Sequence, residues 1–442
     1  MYINLSHYHK EYNRKNTKNK FKEIRMKRIV LLSVVASTMI MAGGDITPVE
    51  PVVETHAAVA PSTFGIFNNI HAKGEIRPRY EFVDASDNGK GDANALTNRL
   101  TLGVGADLLQ IDGLSVYLEA TNVSGSGDYW SLSNDDIAQK PLYQVVADPD
   151  QTRISQAYID YKFGDTLIRA GRQGVNLDNQ RFIGTVNWRQ MPQTYDAAAI
   201  INNSIENLNL LGAYVWQVNT IFDDNTVKPV GDNFKTDTVL LHAAYTFMPE
   251  LTLTGYGYLV EDIHDTWGIA ATGKINAGPG KLSYRAEYAT QVDPSFGSHG
   301  GADANYYNIE GTYNMSGFLL GARYEVLEAG NGGNPAFSTP LATLHGQNGW
   351  ADMFLGTPAD GLVDANGMIG YKSKGFGLAK VVYHDFSSDN GSTDYGTEVD
   401  ALYKNKIPGV KGLSGMLKAA WYNADAFSVD TTKFWVMLDY KF

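Results

Sequence analysis

The sequence predicts an all-β fold, an antiparallel transmembrane β-barrel of about 18 strands with short periplasmic turns and long extracellular loops. Three observations lead there: a period-two alternation from about residue 70 to the end, connections that alternate between tight and long, and an aromatic last strand. Alternation of apolar and polar residues is the strand period, and it gives each strand two unlike faces. In the first strand Lys73, Glu75, Arg77, Arg79 and Glu81 share one parity, and Ile76, Tyr80 and Phe82 the other. Next, Arg99, Thr101 and Asp107 oppose Leu100, Leu102, Val104 and Leu108. The same division recurs in 282–291, where Ser283, Arg285, Glu287 and Gln291 oppose Leu282, Tyr284, Ala286 and Tyr288, and in 318–325.

A soluble sandwich also alternates, so the choice rests on length and connection. The alternating runs reach about ten residues, as a tilted spanning strand requires, where soluble strands are nearer five or six. Tight connections fall at 110–113, 163–166, 203–205, 248–250, 277–280, 315–317 and 372–375, and long polar ones at 122–152, 173–194, 219–236 and 328–359. The last strands are read at 395–406, 411–423 and 431–442. In the ending FWVMLDYKF, Phe434, Val436, Leu438, Tyr440 and Phe442 share one face, and the ending resembles the C-terminal strand of bacterial outer-membrane proteins, which their barrel assembly machinery reads. Tyr195, Trp216, Tyr245, Trp267 and Trp421 are expected to form aromatic girdles against the outer-membrane lipid. In hydrocarbon every edge N–H and C=O must be paired, so a sheet that spans has to close, and a barrel this wide encloses a lumen.

Ahead of the barrel lie three segments. The apolar run 29–42 follows Lys27 and Arg28 and is too short to span, so 26–42 reads as a signal peptide. Residues 1–25, with seven Lys or Arg, read as an upstream extension before a start at Met26, and 43–69 as a Pro/Val/Glu-rich periplasmic lead-in. The barrel occupies 70–442. The chain has no cysteine, which suits an oxidising compartment entered without disulfides. Without residues 1–44 it carries 27 basic and 46 acidic residues, a formal charge of −19 that speaks against nucleic-acid binding.

If the polar parity faces inward, the lumen holds Arg77, Arg79, Arg99, Arg169, Arg285 and Arg323 beside Glu75, Asp160, Glu287 and Glu310. Fixed guanidinium groups lower the barrier for carboxylates, and flanking acids keep binding weak enough for release. The same side chains serve equally well as cross-strand ion pairs bracing the wall. Residues 171–197 are the densest polar stretch, with Arg172, Arg181, Trp188, Arg189, Gln193 and Asp196, and are expected at the pore mouth or inside the lumen. Residues 337–362 mix Leu341, Leu344, Trp350, Met353 and Phe354 with His345, Asn348 and Asp352, too apolar for an exposed loop, and are expected to pack inside or cap the barrel. His345 is a candidate ligand contact or a hydrogen-bonded structural histidine.

These two segments resemble the signatures of the alginate-export-like outer-membrane barrels of Gram-negative bacteria. The motifs are GRQ at 171–173, NQRFIG at 179–184, WRQ at 188–190, TPLATLH at 339–345 and NGWAD at 348–352, extended by VVYHDF at 381–386 and GTEVD at 396–400. The resemblance covers 70–442 and implies a single-chain, eighteen-stranded barrel whose arginine constriction passes an anionic uronate polymer. By motif, Arg172, Arg181 and Arg189 take that role.

Other signals are weak. Gly103 and Gly105 precede no helix, and Walker, HExxH and GxSxG motifs are absent, so no cofactor is expected. The acidic pairs Asp135/Asp136 and Asp223/Asp224 match no calcium-loop spacing. The leading reading is therefore an outer-membrane channel for anionic or polar solutes rather than an enzyme, with a general diffusion porin as the alternative. A barrel hydrolase would need a Ser/His or Asp/His pair that the nine scattered histidines do not present by spacing, and a non-conducting adhesin would use the loops.

Overall fold

The computed structural model describes residues 66–86, 88–131, 142–222 and 233–442. The signal peptide, the upstream extension, the lead-in as far as residue 65 and both acidic pairs lie outside the described residues. Residues 67–69, assigned from the sequence to the lead-in, already belong to the first strand.

Eighteen antiparallel strands follow one another: β1 (Phe67–Ala85), β2 (Ala93–Leu108), β3 (Leu114–Asp128), β4 (Gln151–Phe163), β5 (Thr166–Gln173), β6 (Thr194–Asn202), β7 (Leu208–Asn219), β8 (Phe234–Met248), β9 (Leu251–Val260), β10 (His264–Ala277), β11 (Gly280–Val292), β12 (Asp303–Met315), β13 (Phe318–Leu327), β14 (Leu362–Ser373), β15 (Gly377–Ser387), β16 (Asp394–Lys406), β17 (Leu413–Ala424) and β18 (Thr431–Lys441). Each pairs with its neighbours in sequence, and β1 pairs with both β2 and β18, which closes the ring. Closure leaves no sheet edge for the hydrocarbon to strand.

The connections sort by end. Those leaving the even-numbered strands are tight, down to the two residues between β10 and β11, while the others include 129–150, 174–193 and 328–361. On the long-loop side β9 to β10 is joined by only three residues, and 388–393 and 425–430 are as short as 407–412 on the other side. The sequence places the start of the loop after β3 at 122, seven residues early, because the strand continues through the small polar run to Asp128.

Alternation sets the two faces. Leu102, Val104, Leu118, Ile309, Phe318, Leu320 and Ile369 are half exposed or more on the outside, where lipid rather than water covers them. Trp216, Tyr245, Trp267 and Trp421 are exposed on that same face. Tyr195 departs from the girdle assignment: it is fully buried on the inward parity, and its hydroxyl donates to the Gly184 carbonyl at 2.8 Å. The apolar core is inside the barrel, where Phe182, Trp188, Tyr306, Phe337, Trp350 and Trp435 pack between the wall and two loops that turn inward.

The last residue seals the β1–β18 seam. Gly74 N–H donates to the Phe442 carbonyl at 2.8 Å and Phe442 N–H to the Gly74 carbonyl at 3.0 Å, and a Cβ on Gly74 would meet the Phe442 ring at 2.4 Å. Only glycine lets that ring lie flat on the wall. Replacing Gly74 with Val is therefore expected to weaken closure, read as loss of the heat-modifiable folded band on cold SDS gels. Gly255→Val, at an outward position with nothing within 4 Å of the new Cβ, should keep that band.

Candidate functional site

The inward parity carries the charge that the sequence assigns to it. Arg77, Arg79, Arg99, Arg285 and Arg323 are all buried, as are Glu81, Glu287, Glu310 and Glu325. Water is excluded because residues 174–193 and 328–361 fold into the barrel and meet these side chains. A buried charge must be paired or hydrogen-bonded, and Arg77, Arg79 and Arg323 satisfy this in part by gripping loop backbone.

Arg77 of β1 donates to Asn187 O at 2.9 Å, Arg189 O at 2.6 Å and Gln190 Oε1 at 3.1 Å. Arg99 of β2 donates to Asn187 Oδ1 at 2.6 Å. Arg79 donates to Trp188 O at 2.6 Å and pairs with Asp148, whose other oxygen accepts the Gln190 N–H at 2.7 Å. Thus three arginines on two strands fix residues 187–190, and Asp148 brings the segment ahead of β4, residues 142–150, into the same knot.

The second loop is held from another part of the wall, β13 and β16. Arg323 of β13 donates to Gln347 O at 2.9 Å, Asn348 donates to Glu325 Oε2 at 2.6 Å, and Ala351 N–H donates to Glu398 of β16 at 2.8 Å. Gly349 stands against Glu398 at φ +78°, where a Cβ would meet the carboxylate at 2.4 Å, so this turn needs glycine for both shape and room.

The two loops also bind each other. Gly184 N–H donates to Leu341 O at 2.8 Å and Thr343 N–H to Gln180 O at 3.0 Å. Arg181 pairs with Glu325 at 3.0 Å, and Arg189 bridges Glu81 at 3.2 Å and Asp352 at 3.0 Å. Burial alone would lower the Arg189 pKa, but the carboxylates of Glu81, Asp352 and Asp148 outweigh it and hold the guanidinium charged. Asp178 behaves as the mirror case: burial pushes its carboxyl up, while the hydrogen bond and charge of His242 and the charge of Arg285 bring it below the ordinary value.

Of the three arginines that the motif singles out, Arg181 and Arg189 lie in this inner knot and Arg172 does not. Arg169 and Gln173 face inward on β5, so alternation turns Arg172 outward, where it forms a two-pronged pair with Asp196 of β6 at 2.7 and 3.0 Å. Asp196 is outward for the same reason, between inward Tyr195 and Ala197. Both are corrected from pore positions to the outer rim. His345 is in the inner loop, bonded to Asp352 and Lys418. Arg285 pairs with Glu287 at 2.6 Å, and Tyr256 donates to the same carboxylate at 2.9 Å.

Arg169 stands apart among the inward arginines named, because a quarter of its side chain reaches solvent, against a few per cent for the others. Its guanidinium lies 3.8 Å above the Tyr158 ring and donates from Nε and Nη2 to Asp160, both at 2.7 Å. Nearby, Tyr117 and Tyr158 sit 5.3 Å apart, and the Lys73 ammonium lies 4.6 Å over Tyr117. This half-open wall of β1, β3, β4 and β5 combines cations with aromatic faces.

Lys418, Lys433 and Asp148 are the site residues that sequence reasoning missed. The two lysines had a signal, since each is a cation at the inward parity of a spanning strand. Asp148 had none, lying in an irregular polar stretch.

Residues 69–224 match the family described as alginate export. Among solved structures, the fold is shared with Acinetobacter baumannii OccAB4 (TM-score 0.66, 15% identity, covering 84% of this chain and 98% of that one). It is shared also with A. baumannii OccAB2 (0.65, 17%, 84% and 98%) and Pseudomonas aeruginosa OccK5, also called OpdH (0.64, 13%, 84% and 97%). At these identities the likeness is one of fold. No curated protein matches the sequence.

Removing Arg189 leaves Glu81 to Arg79 and Asp352 to His345 and Lys433 in a dry interior, a loss on the order of 3 kcal/mol, the low end for a broken buried pair. Arg189→Ala is therefore expected to expose the inner loops to protease added to the reconstituted barrel, with sharper cleavage than in the parent. Arg172→Ala, on the outer wall, should leave the cleavage pattern as it was.

Proposed function

We propose, on the premise that this chain is an alginate-export-like outer-membrane β-barrel of the porin type, that it passes small anionic solutes, carboxylates above all, through a constriction narrowed by its own loops. The observation that carries this reading is the half-open pair of Arg169 and Asp160 beside Tyr158, Tyr117 and Lys73. Asp160 occupies Nε and Nη2 of Arg169 and leaves the Nη1 donors for a passing carboxylate. A guanidinium already neutralised by its neighbour attracts an anion without trapping it, which is what conduction needs.

Passage of a uronate polymer is the finer reading from the alginate-export resemblance, and the packing favours small solutes over it. Fully buried Trp350, Trp435 and Phe337 fill the space between the two inner loops and the wall, so a polymer would need those loops displaced. A barrel enzyme gains no support from the buried Asp–His pairs, since His345 and His384 bond Asp352 and Asp364 inside the packed interior. The aromatic final strand supports assembly into the membrane by the machinery that reads such endings.

Planar-bilayer recording under a salt gradient tests the reading. The parent channel should show a reversal potential of the anion-selective sign, moved toward zero by Arg169→Gln combined with Lys73→Gln. Cation selectivity in the parent, or a double variant with unchanged selectivity, would count against it.

A further inference from the structure

His345 occupies a position that a second proton would make untenable. Its Nδ1 lies 2.6 Å from Asp352 Oδ1 and its Nε2 lies 2.6 Å from the Lys418 ammonium nitrogen. Lys418, faced by three indole rings and by the charges of Asp400, Asp352 and Glu398, is taken as an ammonium, which only donates; on that basis Nε2 accepts and the ring proton is on Nδ1, donated to Asp352. The imidazole is thus neutral in the closed arrangement, with both nitrogens used. A proton added at Nε2 would destroy the bond to Lys418 and place two cations at hydrogen-bonding distance.

Neither partner has room to retreat. The imidazole stacks on Trp188 at 4.3 Å with planes 6° apart and meets Trp435 edge-on at 5.6 Å. Lys418 is caged by Trp350 at 3.9 Å, Trp188 at 4.1 Å and Trp435 at 5.4 Å, and is 1% exposed. Every element around this point supplies charge. Asp352 comes from the same loop, Arg189 from loop 174–193, Lys433 from β18 and Lys418 from β17. Glu398 and Asp400 lie on β16, Lys380 and His384 on β15, and Glu81 of β1 acts through Arg189. In direct contact, three cations already converge on the single carboxylate of Asp352 or on His345 itself.

We propose that residues 345–352 form a proton-operated latch: acidification charges His345, breaks its bond to Lys418 and frees the loop from β16–β18, which widens the channel. This rests on the channel reading for its consequence and on the geometry at His345 for its mechanism. The loop chemistry agrees in sign. Burial, with Lys418 and Arg189 adding to it, outweighs the pull of Asp352 and holds His345 well below the ordinary value of 6.5. The docking energy it contributes is therefore full above about pH 6.5 and is lost as pH falls below that value. Asp352 is also held low: burial would raise it, but His345, Lys433 and Arg189 keep it ionised through that window.

Two readouts on the reconstituted full-length chain test the latch. Single-channel conductance should rise at least about two-fold (an increment chosen to exceed recording scatter) between pH 7.5 and pH 4.5. Acrylamide quenching of tryptophan fluorescence should increase over the same interval as Trp350 leaves the cage and uncovers Trp188 and Trp435. His345→Gln, whose amide can donate to Asp352 and accept from Lys418 at every pH, should flatten both responses. Quenching that does not change with pH, or a pH response kept by H345Q, overturns the latch. A quenching response that H345Q removes, in a barrel that conducts at neither pH, would uphold the latch and reject the channel reading on which its consequence rests.

Discussion

Glu81 lies between Arg79 at 3.3 Å and Arg189 at 3.2 Å, with none of the carboxylate in water, and the interior is organised around that sharing. Arg79 belongs to the wall and Arg189 to a loop, so one buried acid ties the two together. In a dry lumen none of the three can lose its partners cheaply, and the same constraint extends outward. Arg79 recruits Asp148, Asp148 holds Gln190, Arg189 recruits Asp352, and Asp352 holds His345 and Lys433. Two loops and the segment ahead of β4 are thereby held inside a barrel whose own hydrogen bonding asks nothing of them.

The barrel and its filling answer to different solvents. Outside, lipid demands closure and an apolar parity, and both follow from the backbone and the alternation. Inside, the loops replace water with aromatic rings and paired charge. That pairing explains why a strongly acidic chain can have an arginine-rich lumen: each guanidinium is answered locally, and net charge says little about the field along the path. Arg169, partly exposed and stacked on Tyr158, is where the pairing is loosest among these arginines, and the proposed anion path rests on it.

Much of this was legible in the sequence, for a physical reason. Lipid on one side and a charged lumen on the other impose a strict period of two, so Arg77, Arg79, Arg99, Arg169, Arg285 and Arg323 could be placed inward by parity alone. The two inner loops were legible from composition, since Trp350 and Phe354 do not belong in water. Arg172 was misplaced because motif, and Asp196 because polar density, was followed where parity should have ruled, with Gln173 and Tyr195 on the neighbouring inward positions. Tyr195 was read as a girdle residue by type, yet its hydroxyl has loop carbonyls to serve inside. Partners distant in sequence left no local trace, which is why Asp148 and the Lys418–His345 bond came from the fold alone.

The central claim, that wall arginines hold the loops inside and so set the width of the channel, meets its most direct test in the single-channel conductance of a variant with Arg77 and Arg79 both replaced by Leu. Intact closure would be verified first by the heat-modifiable band on gels. A larger conductance than the parent, with weaker ion selectivity, is the predicted result, because residues 187–190 lose their grip on β1. An intact barrel whose conductance is unchanged would contradict the account.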